Sequence, residues 1–153
     1  MNLILWRHAE AQKLREGVDD LERPLTSKGE KQAKRMAQWL DRQLPELTRI
    51  LVSPARRRQQ TVVTLGRKFK TRAELAPGCS AVQLLELVQW PEDKATVLVV
   101  GHQPTLGETI SHLLGLGPNE YPFKRGGIWW LRSRARGETV QTVVVTVQSP
   151  DVL

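Results

Sequence analysis

A continuous apolar run, Thr-Val-Leu-Val-Val at residues 96–100, constrains the fold of this chain most strongly. A run without alternating polar residues is typical of a strand that is covered on both faces of a parallel sheet. Two further short apolar segments, 2–7 and 49–52, precede it, and each is followed by a segment with helical signals. Because alternating strands and helices build parallel sheets, the sequence predicts a parallel α/β core.

The segments that follow the strands carry recognisable helix signals. Ser27 and Glu30 have the spacing of a capping box, and apolar residues then recur at helical intervals. Ser53 is a predicted N-cap with Pro54 as the first helical residue, in a helix that extends to about Phe69. Two more helices are predicted over 80–90 and 105–114.

The last third of the chain predicts two strands, 128–133 and 139–147, joined by a turn around Gly137. The expected fold is therefore α/β with three layers: a mainly parallel mixed sheet, helices on both of its faces, and a C-terminal antiparallel hairpin. The 153 residues contain no obvious linker or internal repeat, so we expect a single domain over residues 1–153.

The composition limits the possible partners and compartment. The formal net charge of +7 favours anionic partners. The cations form no stripe with interleaved aromatic residues, which disfavours nucleic acid. Cys79 is the only cysteine, and no stretch approaches the ~20 apolar residues of a membrane span. We therefore expect a cytoplasmic protein without membrane association, and a monomer.

Three predicted strands end in residues that suit a phosphate group. Arg7 and His8 follow the first strand, three consecutive arginines (56–58) follow the second, and His102 follows the run at 96–100. Ligands of open α/β sheets bind beyond the carboxyl ends of the strands, so these side chains should meet. Neutral imidazole is a nucleophile, and guanidinium binds phosphoryl oxygens bidentately. Helical spacing predicts that one of the three arginines binds phosphate and two are solvated.

Four segments of the chain carry recognisable motifs: Arg7-His8-Ala9-Glu10, Arg23-Pro24-Leu25-Thr26 with Gly29 behind it, the residues 53–61, and Val99-Val100-Gly101-His102. In this order they resemble the signatures of the histidine phosphatase superfamily, which includes the phosphoglycerate mutases. The short length and the Ser53-Pro54 pair resemble its SixA branch, the phosphohistidine phosphatases.

This resemblance implies a role for each matching residue. His8 would be the nucleophile that becomes a transient phosphohistidine, while Arg7, Arg57 and His102 would hold the phosphoryl group. Arg7, Arg57 and Gln103 are the expected substrate-binding residues. No metal or other cofactor is expected, because the carboxylates do not cluster with the histidines.

One departure from the superfamily pattern bears on the substrate. Mutases and many relatives carry a glutamate general acid in mid-chain, whereas residues 76–80 here contain no carboxylate, and Glu74 and Glu86 are out of register. An alkoxide leaves slowly without an acid, but an imidazole can be protonated on its other nitrogen and leave neutral. The sequence therefore predicts hydrolysis of phosphohistidine in an acidic protein of a phosphorelay or phosphotransferase system. The alternatives are a phosphatase of small phosphate esters and a catalytically silent phosphoprotein-binding member.

The C-terminal third leaves several roles open. Lys124 and Arg125 either line the mouth of the pocket or form a simple basic turn. Trp129 and Trp130 should face opposite sides of their strand, so that one of them belongs to the core. His112 lies within the predicted helix over 105–114 and is interpreted as structural.

Overall fold

The computed structural model describes residues 1–92, 94–117 and 123–153. Within them, six strands form one sheet in the order β3-β2-β4-β1-β5-β6. The strands are β1 (Asn2–Arg7), β2 (Arg49–Val52), β3 (Lys70–Thr71), β4 (Thr96–Gly101), β5 (Ile128–Arg136) and β6 (Thr139–Gln148). The α-helices are α1 (Ser27–Gln43), α2 (Arg56–Val63), α3 (Ala81–Leu87) and α4 (Thr105–Leu113), and short 3₁₀ turns lie at Asp20–Glu22 and Ala73–Leu75.

The sheet is mixed and mainly parallel, which confirms the predicted fold class. Strands β3, β2, β4 and β1 are parallel neighbours, while β5 pairs antiparallel with β1 and with β6. Arg7 lies opposite Gly101, and Val52 lies opposite Val100. The carboxyl ends of β1, β4 and β2 therefore meet at one edge, where the phosphate-binding residues were expected.

Two apolar clusters cover the two faces of the sheet. Ile4 and Trp6 of β1 pack towards the cluster that contains Met36 of α1, whereas Leu3 and Leu5 belong to the opposite cluster. This alternation follows from the two-residue period of a strand. These four side chains of β1 have no exposed surface. Burying one large apolar side chain stabilises the fold by about 1.5–3 kcal/mol. The predicted three layers are thereby confirmed.

Two predicted helix starts are wrong. Thr26, not Ser27, caps α1, because its Oγ1 accepts a hydrogen bond from the Gly29 amide at 2.9 Å. A complete capping box occurs instead at Ser80, at the start of α3. Ser53 precedes the cap of α2, since its amide extends the sheet by donating to the Val100 carbonyl at 3.2 Å. Local spacing matches an N-cap at Ser27 and at Ser53. In the structure the preceding residue caps α1, and Ser53 continues the pairing of β2 with β4.

The helix predicted to reach Phe69 ends at Val63. Gly66 then takes a positive φ of 70°, which turns the chain out of the helical path. Lys70 and Thr71 form the short strand β3, which pairs in parallel with Leu51 and Val52. Both residues of β3 are exposed and too few to show a period, so no sequence pattern predicted this strand.

Helix α1 holds the loop that follows β1 through a close approach at Gly29. A Cβ atom at this position would lie 2.0 Å from the carbonyl oxygen of Glu10. The Thr26 amide donates to that same carbonyl at 3.0 Å, and the Thr26 hydroxyl donates to the Glu10 carboxylate at 2.8 Å. The loop is therefore fixed by backbone contacts that only glycine permits.

Replacing Gly29 with alanine should lower the free energy of unfolding by about 1–3 kcal/mol, because the new methyl group overlaps the Glu10 carbonyl. Alanine would otherwise favour a helix over glycine by about 1 kcal/mol, so a loss isolates the steric effect. Urea unfolding measures the change. Gly117→Ala is the control, since nothing lies within 4 Å of its added Cβ. Equal stability of the two variants would contradict the close approach.

Candidate active site

Neighbouring parallel strands bring His8 and His102 to the same edge of the sheet. The His8 amide donates to the carbonyl of Gly101 at 3.3 Å, and His102 is the next residue of that segment. Only 7% of His8 and 5% of His102 is exposed. The two histidines, 94 positions apart in sequence, thus share one buried region.

A hydrogen bond fixes the proton of the His8 imidazole. Nδ1 lies 2.7 Å from the carbonyl oxygen of Ala9. Because a carbonyl only accepts, Nδ1 carries the proton and donates, and the neutral ring then has its lone pair on Nε2. The tautomer assigned from this bond is the one that a nucleophile requires.

The pKa of His8 is lowered from 6.5 to about 3, and burial is the largest cause. The guanidinium of Arg58 is the next largest, the Ala9 carbonyl opposes the decrease, and Arg57 and Arg7 add smaller effects in the same direction as Arg58. Both causes disfavour the charged imidazolium. His8 is therefore neutral throughout the physiological pH range.

Asp20 binds the guanidinium of Arg57 with two oxygens. Arg57 donates from Nη1 to the Asp20 carbonyl at 2.6 Å and from Nη2 to the Asp20 carboxylate at 3.0 Å. Arg23 reaches the same carboxylate, with Nε at 3.1 Å. Burial opposes the ionisation of Asp20, but Arg57 and Arg23 outweigh it and lower its pKa. Asp20 therefore holds Arg57 in place.

Arg58 is buried, which corrects the prediction that two of the three consecutive arginines are solvated. Only Arg56 is exposed, whereas Arg57 and Arg58 are 3% and 1% exposed. Neighbouring helical residues lie about 100° apart, so a wide buried face can hold both. Burial, followed by the charge of Arg57, lowers the pKa of Arg58 to about 9.

Arg7 and Gln103 both contact the backbone of neighbouring segments. Nη1 of Arg7 donates to the carbonyl of Phe123. Oε1 of Gln103 accepts from the Gly107 amide at 2.7 Å, within the first turn of α4. The side-chain oxygen of Gln103 thus serves the start of α4, and its contact with substrate stays a prediction.

The imidazole of His102, like that of His8, contacts the backbone carbonyl of the next residue through Nδ1. Its Nδ1 lies 3.1 Å from the carbonyl of Gln103, so Nδ1 is the donor. Burial and the charge of Arg58 lower its pKa, while the backbone carbonyls of Gln103, Ala76 and Leu75 oppose the decrease. Its charge state is therefore sensitive to any anion that enters the site.

Side chains of α2 fix the loop on both sides of the site. The Ala9 amide donates to Oγ1 of Thr61 at 3.3 Å, and the Leu25 amide donates to Oε1 of Gln60 at 2.7 Å. The adjacent Gln60-Thr61 pair thus has a structural explanation. It joins α2 to the two loop segments that carry the site residues.

The comparisons with known proteins agree with this geometry. Residues 3–80 match the model of the "Histidine phosphatase superfamily (branch 1)". The chain belongs to the histidine phosphatase superfamily. It is 33% identical over 130 residues to the phosphohistidine phosphatase SixA of Escherichia coli, which covers 80% of this chain and 78% of that protein. A SixA homolog of Haemophilus influenzae is also 33% identical over 130 residues, covering 75% of this chain and 78% of the homolog.

A solved structure of the protein histidine phosphatase SixA, complexed with tungstate, has the same architecture. It superposes with a TM-score of 0.82 at 27% identity and covers 99% of each chain. Together with the sequence relatives, it supports the SixA-type branch of the superfamily and a phosphatase activity for this chain.

The two glutamates nearest the superfamily's general-acid segment do not join the site. Glu74 is exposed and forms an ion pair with Arg72. Glu86 of α3 lines a separate surface cavity together with Trp90 and His112. His112 is exposed on α4, as its structural interpretation allows.

The C-terminal residues whose roles were open lie around the site or in the core. Gly126 donates its amide to the His8 carbonyl at 2.9 Å, so the turn of Lys124 and Arg125 borders the loop that follows β1. Both cations are exposed, and Lys124 pairs with Asp151 at 3.3 Å. Trp130 and Trp129 pack into opposite apolar clusters, which confirms that they face opposite sides of β5.

Within the described ranges, no group of three or more histidine, cysteine, aspartate or glutamate side chains could hold a metal ion. Across the same ranges, no helix has both the length and the apolar character needed to cross a bilayer.

The low pKa of His8 should make the protein less stable in acid. The unfolded chain takes up a proton near pH 6.5, whereas the folded His8 does so only near pH 3. Its contribution is therefore complete above pH 6.5 and is lost as the pH falls towards 3, by up to about 1.4 kcal/mol per pH unit. Urea unfolding between pH 7.5 and 4 measures this slope.

His8→Asn should show a shallower slope below pH 6.5 and the wild-type slope above pH 7. Identical slopes in both proteins below pH 6.5 would show that the imidazole of His8 is not held neutral.

Proposed function

We propose that this chain is a phosphohistidine phosphatase, which removes phosphate from a histidine of a phosphorelay or phosphotransferase protein. The observation that carries the proposal is the neutral, buried His8, whose Nδ1 proton is fixed by Ala9 beside arginine side chains. The similarity to SixA proteins over most of the chain supports the same substrate class.

The reaction proceeds in two displacements at phosphorus. Nε2 of His8 attacks in line, the new P–N bond forms, and the P–N bond of the substrate phosphohistidine breaks. The departing imidazole keeps the electron pair and is protonated on its other nitrogen, so that it leaves neutral. Water then attacks the phosphoryl group on His8, which releases inorganic phosphate and restores the imidazole.

Positive charge stabilises the transferred group. Arg7 and Arg57 donate to phosphoryl oxygens, and their charge offsets the charge that spreads over those oxygens in the transition state. Entry of a dianion raises the pKa of His102, so that its Nε2 can take a proton and donate as well. Gln103, next to His102, contacts the substrate in this proposal.

The charge of the whole chain favours the proposed partner. A net charge of +7 steers acidic proteins towards the site and increases their association rate. We propose that the enzyme is a cytoplasmic, monomeric, single-domain protein that acts on an acidic phosphohistidine protein. No step requires a metal ion or another cofactor, because the arginines supply the positive charge that a metal would otherwise provide.

Replacing the nucleophile should abolish hydrolysis. We expect His8→Asn to lower the rate on a ³²P-labelled phosphohistidine carrier protein by at least about 1,000-fold, since the covalent route is lost. His112→Asn, at an exposed histidine of α4, is the matched control and should retain wild-type activity. Quenched wild-type reactions should contain acid-labile label on the enzyme, and EDTA should leave the rate unchanged.

Side-by-side rates identify the substrate class. Phosphohistidine should be hydrolysed at least about 100-fold faster than sugar, nucleotide or phosphoserine esters. An ester must expel an alkoxide, which is slow when no general acid can protonate it. Faster hydrolysis of esters would replace the proposal with a small-molecule phosphatase. Binding of the carrier protein without turnover or enzyme labelling would identify a catalytically silent member.

A further inference from the structure

The side chain of Arg58 has buried hydrogen-bond donors without a partner in the described part of the chain. Arg58 is 1% exposed, and its Nε and Nη1 atoms have no hydrogen-bond partner among residues 1–92, 94–117 and 123–153. A buried charge without a partner is costly, and native proteins rarely retain one unless it binds something. This cost calls for an anionic ligand.

The helix α2 directs this face towards the nucleophile. Thr61 lies three residues after Arg58, on the same side of the helix, and its Oγ1 accepts from the Ala9 amide at 3.3 Å. Ala9 is the residue whose carbonyl fixes the proton of His8. Arg58 is also the arginine with the largest electrostatic effect on both His8 and His102. Its guanidinium therefore lies close to both imidazoles.

Arg57 and Arg58 differ in how many donors they can offer. Both Nη nitrogens of Arg57 already bind Asp20, at 2.6 Å and 3.0 Å, and its buried Nε has no partner among the residues that the structure describes. Arg58 has two such nitrogens, Nε and Nη1, which lie on different edges of its planar guanidinium. Arg58 thus has more unused donors than the arginine that the superfamily pattern identifies.

We propose that Arg58 is a second phosphoryl-binding arginine, whose guanidinium donates to the transferred group while Asp20 holds Arg57. The inference rests on the proposed function only for the identity of the substrate. Binding of a phosphate-shaped anion at this site follows from the geometry alone and can be measured without turnover. In the reaction, Arg58 forms no covalent bond and stabilises the charge on the phosphoryl oxygens.

Tungstate, a tetrahedral oxyanion, tests the binding role directly. We expect Arg58→Met to weaken tungstate binding by about 10- to 100-fold in calorimetric titrations, the loss typical of charge-assisted hydrogen bonds. Arg56→Met is the matched control, since Arg56 is exposed on the same helix and should leave the affinity unchanged. Without anion, Arg58→Met should melt at the wild-type temperature or above it, because an unpaired buried charge has been removed.

The ionisation of His8 gives a second readout that a purely structural role would not move. Removing the charge of Arg58 should raise the pKa of His8, measured from the imidazole ¹⁵N shifts, although burial keeps it below 6.5. Arg58→Lys retains the charge and should keep the pKa of His8 low. It should also recover part of the tungstate affinity, because a lysine lacks the paired donors of arginine.

The outcomes separate this inference from the proposed function. Unchanged tungstate affinity in Arg58→Met, or no tungstate binding by the wild-type protein, would overturn the role of Arg58. So would a loss of stability in Arg58→Met together with an unaltered pKa of His8, because Arg58 would then be a packing residue. If tungstate binding depends on Arg58 but phosphohistidine is not hydrolysed, the binding role stands and the proposed substrate fails.

Discussion

His8 is buried away from water and lies near positively charged arginines, and the other contacts of the site maintain this environment. Each condition alone disfavours the imidazolium, and together they bring the pKa of His8 to about 3. The Ala9 carbonyl then decides which nitrogen keeps the proton. A carboxylate beside the imidazole would favour its charged form and would pair with the surrounding arginines.

Apolar packing holds the strand before His8, and polar hydrogen bonds hold the loop after it. The alternating faces of β1 fix the strand between two clusters, and its register with β4 brings His8 beside Gly101. Beyond the strand, hydrogen bonds fix the chain: the Ala9 amide donates to Thr61 of α2, and Thr26 at the start of α1 donates to Glu10. The loop after β1 is thus fixed by two helices rather than by its own conformation, which favours a preorganised site.

The elements with a strong period were predictable from sequence, whereas those defined by contacts were not. The apolar runs of β1 and β4 and the hairpin of β5 and β6 had clear patterns, and each strand lies where it was expected. The cap at Thr26 and the early end of α2 at Val63 were missed, since Thr26 and Ser27 are both good capping residues and no periodic signal marks the end of α2. In the sequence, Ser27 and Ser53 match the pattern of an N-cap as well as the residues that cap the helices in the structure.

By itself, the sequence determined which chemical groups are present and at which edge of the sheet they emerge, because these groups directly follow strands that the pattern predicts to be parallel. It could not determine which of the three consecutive arginines are buried. Helical spacing fixes only their relative directions, while burial depends on the side of α2 that packs against the loop after β1. Nor could it pair Asp20 with Arg57, since 37 residues separate them without a repeating pattern. Only the tertiary packing decided that Asp20 occupies two donors of Arg57, while Nε and Nη1 of Arg58 have no partner within the described ranges.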